Sequence, residues 1–136
     1  MSDQSIVTLR KYFRGLLAGV AWLMLICVII QVLLAGIALF VQIGKWDYHE
    51  SFIHYFTLVP LLMLFLSLLA KVPKGIKWHC LGLFLMIMLQ YITVSLSDAA
   101  PYLTALHPVL ALVLFWESLV IAQGATKLLK SPVNKR

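Results

Sequence analysis

From Gly15 to Gly44 the chain runs for 30 positions without an Asp, Glu, Lys or Arg. A helix of about 20 apolar residues already crosses a bilayer core. A charge-free run this long has few soluble uses, and as a span it must tilt or reach past the hydrocarbon. It is also too long for the apolar part of a signal peptide, which runs roughly 7–15 residues. The small residues Ala35-Gly36-Ile37-Ala38 therefore read as part of a retained span rather than a cleavage site.

Further runs follow the same rule. Ser51–Ala70 and Trp78–Ser97 contain no Asp, Glu, Lys or Arg, and a last run from Pro101 to Thr126 contains only Glu117. Composition agrees, at 62% hydrophobic and 12% charged, where soluble domains have about a quarter charged residues. The sequence predicts an all-α integral membrane four-helix bundle, one domain over residues 1–136, with spans at about 15–44, 51–70, 78–97 and 101–126. Met1–Arg14 reads as a short polar lead, and Lys127–Arg136 as a basic, frayed tail. Ser51 is the expected cap of the second span, and Pro60 is expected to kink it. Lys71-Val-Pro-Lys-Gly-Ile-Lys77 is the clearest turn, and Ser97–Pro101 is another. Short connections imply antiparallel neighbours and an up-down-up-down order.

Charge placement predicts orientation. Arg10, Lys11, Arg14, Lys71, Lys74, Lys77, Lys127, Lys130, Lys135 and Arg136 fall at the two termini and the middle turn, leaving Lys45 alone on the other side. Basic residues stay on the cytoplasmic side. Both termini are thus expected to be cytoplasmic, in a multi-pass protein of the inner or plasma membrane. This placement uses the basic residues for orientation and argues against nucleic acid as a partner. Cys27 and Cys80 lie inside apolar runs without a CxxC pattern, so no disulfide, zinc ribbon or covalent haem attachment is expected.

Polar residues inside spans are costly and turn inward, so they are the informative ones. His54 and His107 lie at matched depth near the outer ends of spans two and four, which run parallel in this topology. Matched depth is what two axial ligands of one haem b need, so both are candidate iron ligands. Stripes of Leu58, Leu61 and Phe65, and of Leu110, Ala111 and Leu114, share their faces. Such stripes line a porphyrin slot or form plain core. Gln31 and Gln90 near mid-membrane are candidates for a haem edge or a quinone carbonyl, with mutual pairing as the simpler use. Lys45, Trp46, Tyr48 and Tyr102 stand where haem propionates would want donors. His49 reads as a loop histidine that becomes an alternative ligand only if the second helix starts early. His79 reads as an interfacial anchor. Glu117, the one intramembrane acid, is either a proton relay or a paired group beside Ser118, Gln123 or a basic residue.

The pattern Trp46-x-x-His49, then His54, then Leu106-His-Pro-Val-Leu110 resembles small four-span bacterial integral membrane proteins of uncharacterised function. The layout is also similar to one four-helix half of haem A synthase. That resemblance implies histidines on the second and fourth helices binding haem near the outer face, with a glutamate one turn before the first. Glu50, His54 and His107 take those places. Tyr55 stands where an arginine commonly follows, and Pro108 where a glycine-bearing run is expected.

Two functions follow as expectations. One is a small b-type cytochrome or haem-binding protein with one bis-histidine haem near the outer face, working with a quinone or a membrane partner. The other is a cofactor-free accessory protein of a larger membrane complex, using the small residues Gly15, Ala18, Gly19, Ala35, Gly36 and Ala38 for contact. Four spans are few for a lone transporter. No phosphate loop, GxSxG, HExxH or carboxylate pair supports soluble catalysis.

Overall fold

The computed structural model describes residues 2–133, and among these all regular structure is helical. Four helical segments are long and apolar enough to cross a membrane: Asp3–Phe40, Asp47–Leu69, Lys74–Ser95 and Pro101–Leu129. Lys135 and Arg136, expected in the basic tail, lie outside the described residues.

The first helix, α1, is Asp3–Phe40. It begins twelve positions before the charge-free run because nothing in the polar lead opposes a helix. Ser2 caps it, its Oγ accepting from the Ser5 amide at 3.3 Å, and Asp3 sits in the first turn, where the helix dipole favours an acid. The helix ends at Phe40, and Gly44 turns the chain with φ 82°, a conformation that suits a residue without Cβ.

The second span is two helices, α2 over Asp47–Phe56 and α3 over Val59–Leu69. The break at Thr57–Leu58 precedes Pro60, whose ring has no N–H to give the preceding turn. α2 starts at Asp47, four residues before Ser51, with Asp47 and Glu50 in its first turn. These acids complement the dipole in place of the expected serine cap.

At the end of α3, Lys71 has φ 49°, the Val72 amide donates to the Ser67 carbonyl and the Lys71 amide to that of Leu68, both at 3.2 Å. This is a Schellman ending with lysine where glycine is usual. The buried side chain of Val72 seals it, and Pro73 stops the helix. α4 is Lys74–Ser95. A single turn, α5 (Pro101–Thr104), precedes α6 (His107–Leu129), which carries Pro108 in its first turn. Proline is tolerated there because those amides have no intrahelical acceptor.

Neighbours form a ring: α1 packs on α6 and α3, and α4 packs on α3 and α6. Buried side chains recur at helical spacing, with Leu17, Ala21, Met24 and Val28 on α1, Cys80, Leu83 and Ile87 on α4, and Leu114, Ser118, Ile121 and Ala125 on α6. Ala18, Ala21, Ser118, Ala122 and Ala125 keep the α1–α6 contact shallow, so the two backbones approach closely. Ser118 and Ser67 return their hydroxyls to Leu114 and Leu64 carbonyls at 2.8 and 2.6 Å, so burial strands neither. The outer faces are apolar too, with Leu33, Phe40, Leu58, Phe65 and Leu112 exposed, a surface suited to acyl chains.

Cross-helix bonds mark the two ends. At one, Arg14 Nη1 donates to the Leu128 and Ser131 carbonyls, each at 3.1 Å, closing the C-terminus of α6. Trp22 Nε1 donates to Thr126 Oγ1 at 2.9 Å nearby. At the other, the start of α2 and the start of α6 meet the later turns of α1 and α4. The histidines of interest gather there.

Candidate functional site

His49 is the third residue of α2, and its ring nitrogen Nδ1 lies 3.0 Å from the Gln31 carbonyl oxygen. A carbonyl only accepts, so Nδ1 carries the hydrogen. Gln31 answers from its side chain, Nε2 donating to the His49 carbonyl at 2.8 Å. This reciprocal pair fastens α2 to α1 and fixes the imidazole.

His107 is the first residue of α6. Its Nδ1 lies 3.1 Å from Thr93 Oγ1 on α4. The threonine hydroxyl donates to the Gln90 carbonyl at 2.8 Å, so its oxygen accepts from His107 Nδ1–H. Thr104 Oγ1 donates to the Thr93 carbonyl at 2.8 Å, which ties the α5 turn to the same place. Both histidines therefore hold their hydrogen on Nδ1 and leave Nε2 with a free lone pair, the state of a metal-binding imidazole oriented by an oxygen acceptor.

The two rings are neighbours. The His49 and His107 centroids are 6.3 Å apart with planes inclined by 59°, and Trp46 meets His49 edge-on at 5.8 Å. Both histidines are half-buried. Among the described residues, the buried amide oxygens of Gln31 and Gln90 have no hydrogen-bond partner. The Gln31 side chain is bonded to His49, so its oxygen is a free acceptor beside the site, whereas Gln90 reaches the site through its backbone carbonyl.

His54 is placed differently. Five helical residues turn it about 140° around α2 from His49. It is exposed, stacks on Tyr91 at 6.0 Å and bonds the Tyr91 hydroxyl through Nδ1 at 3.2 Å. That hydroxyl reaches Thr57 Oγ1 at 2.9 Å, and Thr57 donates to the Ile53 carbonyl at 2.8 Å. The relay joins α2 to α4 across the helix break. The ring beside His107 is thus that of His49, and the early start of α2 is what puts it there. The two glutamines do not share a bond: the Gln31 amide goes to His49.

Glu117 and His79 lie toward the opposite end. His79 Nδ1 donates to Glu117 Oε2 at 2.6 Å, joining α4 to α6, with side chains 42% and 25% exposed respectively. Read from sequence, each takes a separate role. Their partnership depends on how α4 and α6 are rotated, which hydropathy does not encode. Among the described residues, no group of three or more His, Cys, Asp or Glu gathers as a metal site. His49 and His107 are, among the described residues, the histidine pair whose rings are neighbours.

No curated protein and no solved structure matches the chain. Residues 31–96, which carry Gln31, His49, His54, Gln90, Tyr91 and Thr93 but not His107, match the model of a family of unknown function, DUF6220.

Proposed function

We propose that the chain is a small multi-pass protein of the cell membrane in which His49 and His107 hold one b-type haem near the extracytoplasmic face. The observation carrying this reading is the 6.3 Å spacing of two imidazoles anchored through Nδ1. Two metal–nitrogen bonds of about 2 Å each, with the ring radii added, separate opposed imidazole centroids by about 6 Å. The spacing suits an iron between the two rings, and His49 and His107 would hold the haem through Nε2. A haem held there would supply one-electron transfer, with a potential set by burial and surrounding hydrogen bonds. The chain's own part is to aim the rings: the Gln31 carbonyl fixes His49, and Thr93 fixes His107. The Gln31 amide oxygen, beside His49 and unpartnered among the described residues, suits a donor on whatever is bound there. The second-span ligand in this reading is His49, and His54 braces α2 against α4.

The orientation follows from the ends. Arg10, Arg14, Lys71, Lys74, Lys77, Lys127 and Lys130 fall at the end where α1 begins and α6 finishes, and Lys45, Asp47, Glu50 and Asp98 at the histidine end. By the basic-side rule, both termini are cytoplasmic in an up-down-up-down bundle and the histidines face outward.

A second reading, a cofactor-free accessory protein, is favoured by one observation. The reciprocal Gln31–His49 bonds are a complete structural clasp without any ligand. Haem extraction and pyridine haemochrome analysis of protein purified from haem-supplied cells separates the two. One haem per chain supports the cytochrome reading, and a colourless, folded protein supports the accessory one.

A further inference from the structure

Away from the outer histidines, α4 and α6 leave a groove of about 460 Å³ between them, lined by Trp78, Gly82, Leu85 and Met86 among others, with His79 and Glu117 in its wall. Its rim residues Trp78 and Leu85 are 69% and 57% exposed. The groove therefore opens sideways, where a membrane places hydrocarbon. His79 is five residues into α4, about 7.5 Å along its axis, which puts the polar pair at the shoulder of the apolar layer.

From this arrangement we infer that the groove binds the hydroxylated aromatic head of a lipid-soluble quinol. Glu117 Oε1, the carboxylate oxygen outside the contact with His79 Nδ1, is an acceptor, and so is His79 Nε2 where the imidazole is neutral. The fitting ligand therefore brings O–H donors, presents an apolar ring to Trp78 and Met86, and trails a tail into the acyl phase. A phospholipid offers the tail but not a flat head with phenolic donors. Gly82 leaves the middle of the wall open, and a Cβ built there meets nothing within 4 Å. The site is independent of the haem reading, being built wholly from α4 and α6 below the outer histidines.

The test uses the full chain in phospholipid nanodiscs. A decyl-tailed benzohydroquinone, its quinone and its dimethyl ether are partitioned between protein-loaded and empty discs. The hydroquinone is expected to show saturable excess retention. The dimethyl ether, which has the same body without donors, is expected to bind about tenfold or more weakly, the worth of a hydrogen bond to a charged group. Glu117→Gln is expected to weaken the hydroquinone by a similar factor. Gly82→Leu, whose Cβ meets nothing within 4 Å, is expected to block all three ligands. Leu33→Ala, on the exposed face of α1 and outside the groove, is expected to leave retention unchanged. Retention that never saturates overturns the inference, as do equal binding of hydroquinone and dimethyl ether or wild-type binding by both groove variants.

Discussion

The imidazole of His107 lies 6.3 Å from that of His49, while His54 turns away to Tyr91. Three imidazoles thus lie at one end of the bundle, but only His49 and His107 are ring neighbours. Several consequences are measurable.

Thr93 is the oxygen that holds His107 in its tautomer, through a 3.1 Å bond. Thr93→Val keeps the shape and removes the acceptor. On the haem reading, haem affinity is expected to fall about 10–100-fold, the usual cost of losing such a partner. Titration of haem into the apo-protein measures it.

Gln31 donates to the His49 carbonyl at 2.8 Å. Gln31→Leu removes that donor and leaves the backbone acceptor for the ring. The expected loss is about 0.5–1.5 kcal/mol, the range of interhelical hydrogen bonds in bundles of this kind. Denaturation in mixed micelles reads it as a lowered midpoint.

Core and outer apolar residues are expected to differ sharply. Ile121 is fully buried between the helices, and Leu33 is 60% exposed on the outer face of α1. Ile121→Ala is expected to cost about 2–5 kcal/mol by opening a cavity. Leu33→Ala is expected to stay within about 0.5 kcal/mol, as surface changes do. Unfolding of both variants in the same micelles makes the comparison.

Lys71 occupies a left-handed conformation at the end of α3, with φ 49°. Glycine carries no Cβ penalty there, so Lys71→Gly is expected to stabilise by about 1 kcal/mol. A raised unfolding midpoint with unchanged helicity is the expected result.

Much of the fold was legible because the solvent was. The absence of charge from Gly15 to Gly44, and the breaks at Lys71–Pro73 and Ser97–Pro101, locate helices that are seen, although α4 starts at Lys74, inside the stretch expected to be a turn. Helix ends were less legible. Hydropathy reports where a chain is apolar, not where it stops being helical, so it missed the capped polar start at Ser2 and Asp3. It also missed α2 beginning at Asp47. That second miss decides the site. Reading Lys45–Glu50 as a connector left His49 in a loop and made depth point to His54. Asp47 and Glu50, acids in a first turn, were the signal available for the earlier start. The partnership of His79 with Glu117 had no signal at all in a single chain, because it depends on the rotation of two packed helices.

The measurement that bears most directly on the outer site is the oxidised and dithionite-reduced absorbance spectrum of purified protein from haem-supplied cells. It is taken for the wild type and for His49→Ala, His54→Ala and His107→Ala. The expected result is a sharp low-spin Soret band that His49→Ala and His107→Ala each abolish and His54→Ala retains. A colourless wild type would contradict it, and so would a band that survives the loss of His49 and disappears with His54.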